Sequence, residues 1–285
     1  MKILVTGSNG QLGSEIKLLS TKYKNDWIFT DYHEFDLNDL KNINNKLDKF
    51  NPEIIINCAA YTSVDNAEIE KKLCNNINNI AVSHIAKWSN DNQCKLIHIS
   101  SDYVFDGLVD VALKEDHETN PINYYGKTKL LGEKKCQELN IESIIIRTSW
   151  VFSSYGSNFV KKIIDLMNKK SVINVVDDQY GSPTYAADLA LVIMKIIHEK
   201  SWVPGIFNFS NQGKTSWYEL ALIIKNFYKF ETIIEPVNSL TYKSIANRPK
   251  YSFLNKQKIK NTYKIQIPYF YDSLKKCLII LNNEK

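Results

Sequence analysis

A tyrosine and a lysine four residues apart, Tyr125 and Lys129, are the side chains of this sequence best suited to moving a proton. On a helix, positions i and i+4 share a face. A free phenol has a pKa of ~10, too high to trade protons readily near neutrality. A neighbouring ammonium stabilises the phenolate and lowers that value, which makes the phenol a usable acid or base. Ser101 follows the run Ile97-His98-Ile99-Ser100, a strand that should abut such a helix. Its hydroxyl can orient a substrate carbonyl, so Ser101, Tyr125 and Lys129 are the candidate catalytic residues. A Tyr-x-x-x-Lys pair alone is commonplace on helix surfaces, and its weight here depends on what accompanies it.

What accompanies it is a glycine pattern at the chain start, Thr6-Gly7-Ser8-Asn9-Gly10-Gln11-Leu12-Gly13. Gly7, Gly10 and Gly13, three apart between an apolar run and a helical segment, allow a tight turn, close approach of a pyrophosphate and close helix–sheet packing. The helix beyond offers unpaired N–H groups and a positive dipole end to a phosphate. Asp31, eighteen residues after Gly13, stands where a carboxylate can accept the adenosine ribose hydroxyls. No arginine adjoins it, which leans the cofactor toward NADH rather than NADPH. The cysteines (Cys58, Cys74, Cys94, Cys136, Cys277) and histidines show no metal-ligand spacing, so no metal is expected. His98, inside a strand, reads as a satisfied core histidine.

These residues need a scaffold. Short apolar runs at 2–5, 27–30, 53–56, 95–99 and 143–146 read as buried strands, and 10–20, 37–50, 67–89 and 123–138 as the helices between them. Strand–helix alternation implies right-handed crossovers and a parallel sheet covered on both faces. The fold expected is α/β: a Rossmann-type doubly wound sheet over residues 1–150 and a smaller, substrate-binding lobe over 151–285. Some chain is expected to cross back to the first domain. Helices are expected at 158–168, 186–199, 216–228 and 269–281, with strands at 173–176 and 205–209.

Composition sets the outer limits. With 285 residues, 24% of them charged and 44% hydrophobic, the chain is neither disordered nor fibrous. No apolar run approaches the ~20 residues that span a bilayer, and no signal-peptide pattern opens the chain, so a cytoplasmic protein with no membrane partner is expected. Residues 1–150 carry a net charge of −4 and residues 151–285 of +9. That asymmetry fits an anionic ligand met by the second half, and equally a solvated lysine-rich surface. No nucleic-acid-binding signature is present.

Together the glycine loop, the strand-end serine and Tyr125-x-x-x-Lys129 resemble the extended short-chain dehydrogenase/reductase family, and within it the dTDP-4-dehydrorhamnose reductases. Segments similar to that branch are Asn57-Cys58-Ala59-Ala60-Tyr61-Thr62-x-Val64-Asp65, Ser101-Asp102-Tyr103-Val104-Phe105-Asp106-Gly107, Arg147-Thr148-Ser149-Trp150, Asp178-Gln179-x-Gly181-Ser182-Pro183-Thr184, Ser216-Trp217 and Arg248-Pro249. The resemblance implies that Gly10, Gln11 and Leu12 wrap the cofactor pyrophosphate, with Gly7 and Gly13 shaping the loop. It implies that Asp31 holds the adenosine ribose, that Asp36 and Leu37 flank the adenine, and that Ala59, Ala60 and Tyr61 line the cofactor side. Tyr125 would donate the proton, Lys129 anchor the ribose and tune Tyr125, and Ser101 orient the carbonyl. Asp102 and Trp150 would touch a nucleotide-sugar substrate, whose C4 keto group NADH or NADPH would reduce. One departure is the serine at 101, where close relatives usually carry threonine. The resemblance leaves open an epimerase or dehydratase of the same superfamily and a non-catalytic regulatory homologue; a homodimer is one expectation for the assembly.

Overall fold

The computed structural model describes residues 1–199 and 201–283; positions 200, 284 and 285, all in the second expected lobe, lie outside the described residues. The first half runs β1 (Lys2–Thr6), α1 (Gln11–Ser20), β2 (Asp26–Thr30), α2 (Ile43–Phe50), β3 (Ile54–Asn57), the short α3 (Val64–Ala67) and α4 (Lys71–Asn75), α5 (Ala81–Asp91), β4 (Lys95–Ser101), α6 (Tyr124–Leu139) and β5 (Ile144–Thr148). The second half runs β6 (Val151–Phe152), α7 (Phe159–Lys169), β7 (Val172–Val176), β8 (Tyr180–Gly181), β9 (Thr184–Tyr185), α8 (Ala186–His198), β10 (Gly205–Asn208), β11 (Thr215–Ser216) and α9 (Trp217–Tyr228). It closes with β12 (Ile233–Val237), α10 (Ser239–Tyr242), β13 (Tyr251–Ser252), α11 (Gln257–Tyr263) and α12 (Phe270–Asn283).

Six parallel strands form one sheet in the order β10-β5-β4-β3-β1-β2. Because strand side chains alternate faces, each isoleucine-rich strand feeds two cores. Ile3, Val5, Ile54, Ile56, Ile144 and Ile146 pack under α1 and α8 with Leu189 and Ile193. Leu4, Ile55, Leu96 and Ile145 pack the other face with Leu47, Ile85 and Cys136 from α2, α5 and α6. This is the doubly wound sheet the alternation predicts. The strand order reverses between β1 and β3, and a crevice opens there at the carboxyl ends of the strands.

The second half contributes to both lobes. Its own core joins Val160, Ile163, Ile173, Leu220, Ile224 and Leu274. Yet α8 covers the first sheet and β10 extends its edge beside β5. The aromatic run after Pro268 docks α12: Phe270 is buried, and its N–H donates to the Gln212 carbonyl at 2.8 Å.

The helix expected over 67–89 is instead broken. Residues Asn76–Ile80 form a π-helical turn between α4 and α5. Its buried Asn78 explains the break: Asn78 Oδ1 accepts the Tyr61 N–H at 2.9 Å, and its Nδ2 donates to the Tyr61 carbonyl at 3.0 Å and to Thr128 Oγ1 at 3.2 Å. Side-chain bonds thus tie the segment to its neighbours where a plain helix turn would turn away. The helix expected from 37 begins at Ile43, since Asp36, Asp39 and Asn42 spend their side chains or carbonyls on local turns.

Candidate active site

A cleft of about 690 Å³ opens along the carboxyl ends of the sheet strands, with the second lobe as its far wall. Gly7, Gly10, Gln11 and Leu12 line one end, with Asp31, Asp36 and Leu37 beyond them and Ala59 and Ala60 alongside. Ser101, Asp102, Tyr125, Lys129 and Trp150 line the other. Two predicted residues do not line it. Gly13 packs behind the loop, where a Cβ would sit 2.3 Å from the Gly7 carbonyl oxygen. Tyr61 turns away: its backbone binds Asn78 and its hydroxyl donates to Glu70.

At the glycine end the wall is backbone. Gly7 has φ +63°, and a Cβ there would lie 2.8 Å from the Ala59 backbone, so the segment just after β3 approaches as closely as glycine permits. Helix α1 has Gly10 at its N-cap position and no side-chain cap, and Gly10, Gln11 and Leu12 at this end line the cleft. By contrast, Asn123 caps α6 through Gly126 and Asn158 caps α7 through Lys161. A pyrophosphate fits the uncapped end. Asp31 is held in place by the N–H groups of Asn9 (2.8 Å) and Tyr32 (2.7 Å), one to each oxygen. Residues of this end therefore fit a dinucleotide: an uncapped helix, a glycine cradle and a carboxylate held in place just past β2.

At the other end side chains do the shaping. Asn123, as N-cap, fixes the first turn of α6, and Gly126 presses against the Tyr103 carbonyl, where a Cβ would sit at 2.1 Å. Tyr125 is thereby aimed into the cleft, ring edge against Tyr103 with centroids 5.7 Å apart. Lys129 follows one turn later and is almost wholly buried. Its Nζ donates to the Ile99 carbonyl at 2.6 Å, and burial pushes it down to about 8, opposed by Glu133. Ser101 Oγ donates to Asp102 Oδ1 at 3.0 Å and accepts the Tyr103 N–H at 3.2 Å.

The expected lowering of the Tyr125 pKa by Lys129 is not what this arrangement gives. Burial raises the phenol above its ordinary value, its contact with Ser101 pulls it back, and Asp102 raises it further. The ammonium of Lys129 is committed to a backbone carbonyl. Burial of the charged form outweighs a cation that points elsewhere. His98 also departs from the fully satisfied core residue expected. It is buried, its Nδ1 meets Asn57 Nδ2 at 3.1 Å, and its Nε2 has no partner.

The far wall is aromatic. Trp150 adopts φ +48°, a strained conformation for a side-chain-bearing residue. Its indole stacks on Trp217 at 3.5 Å and 9°. The motif Asp178–Thr184 frames it: a Cβ at Gly181 would sit 2.7 Å from the Trp150 ring, and Ser149 Oγ donates to the Ser182 carbonyl at 2.6 Å. Trp217 opens α9 behind a capping box of Ser216 and Glu219. Gly156, Ser157 and Asn158 also line the cleft, with Asn158 Nδ2 donating to Gln11 Oε1 at 3.0 Å. Sequence reasoning gave these three no role; the one signal available was an Asn at the start of a helical segment. Lys129 is the only lysine or arginine among the described residues that line the cleft, so the second half's positive charge is not delivered to its wall. Arg248 is tied instead to Asp65 at 2.7 Å. Among the described residues no group of three or more His, Cys, Asp or Glu is placed to hold a metal, and no helix is long and apolar enough to cross a membrane.

This geometry has close counterparts. The family model described as RmlD substrate binding domain matches residues 1–283. A dTDP-4-dehydrorhamnose reductase from Aggregatibacter actinomycetemcomitans is 37% identical over 276 residues, 93% of this chain and 94% of the relative. A solved dTDP-4-dehydrorhamnose reductase from Clostridium acetobutylicum superposes with a TM-score of 0.94 at 36% identity, covering 99% of this chain and 100% of its own. One from Bacillus anthracis, in complex with NADP, gives 0.93 at 37% identity, covering 98% and 99%. A parallel sheet, a glycine-loop cleft and this similarity along nearly the whole chain place the protein in the RmlD family, alongside the dTDP-4-dehydrorhamnose reductases.

Proposed function

We propose that this protein reduces the C4 keto group of dTDP-4-dehydrorhamnose to give dTDP-L-rhamnose, as a cytoplasmic NADH- or NADPH-dependent oxidoreductase. One juxtaposition carries the reading: Ser101, Tyr125 and Lys129 meet in the same cleft as an uncapped glycine-loop helix. Residues 1–150 hold the dinucleotide along Gly7–Leu12, Asp31 and Ala59–Ala60. Residues 151–285 hold the nucleotide sugar, with Trp217 stacked on Trp150, the last residue of the first domain, as its aromatic wall and α8 and β10 returning to the first sheet. A bound reduced nicotinamide supplies the hydride. Tyr125 supplies the proton from its Oη to the oxygen of the new alcohol, and Ser101 orients that oxygen beforehand. Lys129, whose ammonium donates to the Ile99 carbonyl with two N–H groups left over, anchors the ribose hydroxyls.

The test is turnover of the keto-sugar nucleotide with either cofactor, with the product sugar identified. Stoichiometric consumption of added NADH by protein purified free of nicotinamide supports a reductase. Tightly retained NAD with no net consumption would mark an epimerase instead. Because Asp31 presents a carboxylate where NADPH carries a phosphate, kcat/KM with NADH should at least equal that with NADPH; a strong NADPH preference would overturn this role for Asp31.

A further inference from the structure

Asn158 lines the cleft from the second half, at the end of the loop 153–158, and the reading above gives it no part. Every polar group of its amide is engaged. Oδ1 accepts the Lys161 N–H at 3.1 Å and so caps α7, while Nδ2 donates to the Ser153 carbonyl at 2.8 Å and to Gln11 Oε1 at 3.0 Å. The loop is fastened to α1 at a second point, where Ser153 Oγ donates to Glu15 Oε1 at 2.6 Å. Gln11 and Glu15 are four apart and share a face of α1. The fit is close: a Cβ at Gly156 would sit 3.0 Å from Gln11 Cγ.

Two backbone groups decide which way the Asn158 amide faces. An N–H only donates and a carbonyl only accepts, so Lys161 requires Oδ1 and Ser153 requires Nδ2. With Nδ2 thus turned to α1, the atom of Gln11 that meets it must be an acceptor, Oε1. The Gln11 amide is then set as well, and its Nε2 is the end left over. Gln11 lines the glycine end of the cleft, and among the described residues no protein acceptor meets its Nε2. For an anion that orientation matters. An amide N–H attracts a phosphate oxygen, whereas an amide oxygen in its place repels it.

We propose that Asn158 is a positioning residue for the dinucleotide: it holds the Gln11 amide with its N–H groups toward the pyrophosphate. The proposal rests on the reading that Gly10, Gln11 and Leu12 wrap that pyrophosphate. Asn158 acts through Gln11 and needs no contact with the cofactor. The second half, which the reading above gives to the sugar nucleotide, thereby also sets cofactor affinity. One stretch of chain joins the two tasks, since the residues from the Trp150 wall to Asn158 end on the phosphate turn.

Asn158→Ser keeps an oxygen to cap α7 and removes the amide, with no change of charge. A hydrogen bond to a charged group carries about a tenfold change in affinity. In fluorescence titration the NADH Kd of Asn158→Ser should rise by about that factor. Adenosine, measured by competition, reaches Asp31 but carries no phosphate, and its Kd should stay within about twofold of the parent's. Gln11→Met removes the positioned donor and should raise the NADH Kd by a similar factor. The two changes together should raise it no further, because both remove one contact. Additive losses, an unchanged NADH Kd in Asn158→Ser, or equal weakening of NADH and adenosine would overturn the proposal and leave Asn158 a helix cap. A parent that binds neither NADH nor NADPH would overturn the dinucleotide reading itself, and this proposal with it. Should Asn158→Ser fail to fold, Asn158→Asp keeps the cap and the volume but cannot donate to Gln11. Its loss of NADH affinity must then shrink in the Gln11→Met background, and an undiminished loss would overturn the proposal.

Discussion

Lys129 and Glu133 lie one turn apart on α6, both 1% exposed, and the fold treats them in opposite ways. Glu133 meets Arg147 through three contacts, at 2.9, 3.2 and 2.7 Å, and Arg147 also donates to the Glu115 carbonyl at 3.0 Å. Lys129 has a single backbone carbonyl for its whole ammonium, and burial pushes it down to about 8. A buried ion is tolerated when a partner answers it and is costly when none does. The paired charge joins helix to strand, whereas the under-satisfied one faces the cleft beside Tyr125 and Asp102, both also shifted by burial. On this single helix, pairing marks structure and unmet bonding capacity marks the site.

Substitutions can break that contrast. Glu133→Ala strands the Arg147 guanidinium inside the protein and should cost ~3–5 kcal/mol of unfolding free energy, with kcat per folded molecule nearly kept. Chemical denaturation monitored by circular dichroism measures it, and a loss under 1 kcal/mol would remove the pair from the structural side of the contrast. Gly181→Ala pushes a methyl into the Trp150 ring and should cost ~1–3 kcal/mol by overpacking, read as a raised KM for the sugar nucleotide with cofactor affinity unchanged. An unaltered KM would show that the indole pair is not the sugar wall. Lys129→Met should be the mildest for the fold, with Tm kept or raised because an ammonium with one acceptor is replaced by an apolar chain. Its effect belongs to cofactor affinity, weakened about tenfold, or ~1.4 kcal/mol, in fluorescence titration with NADH. A Tm fall as large as that of Glu133→Ala would erase the distinction between the two charges.

Those parts of the site that lie in one stretch of chain were readable from residues alone. Gly7 to Gly13 fills a strand–turn–helix whose geometry glycine dictates, and Tyr125 and Lys129 share a helix face by spacing. Alternation of apolar residues exposed the sheet because Ile54–Ile56 and Ile144–Ile146 must feed two cores at once. What stayed hidden depends on long-range packing. Nothing local announces that Trp217 will lie flat on Trp150, since Gly181, from a third segment, sets that stack. The π-helical turn at Asn76–Ile80 answers to Asn78 bonding with Tyr61 and Thr128, which no helical periodicity contains. The environment of the Tyr125 phenol is equally illegible locally, because spacing places Lys129 on the right face but does not say which acceptor its ammonium takes.

The account stands most directly on Tyr125 as the proton donor, and one variant addresses it. Tyr125→Phe removes the hydroxyl and keeps the ring, so the T-shaped contact with Tyr103 and the start of α6 should survive. Single-turnover oxidation of bound NADH by the keto-sugar nucleotide, followed in protein shown to be folded and to bind NADH normally, gives the rate of the chemical step. The rate should fall by ~10²–10⁴-fold, the range for a positioned general acid. A rate within about threefold of the parent would contradict the assignment and leave Tyr103, the adjoining phenol, as the next donor to test.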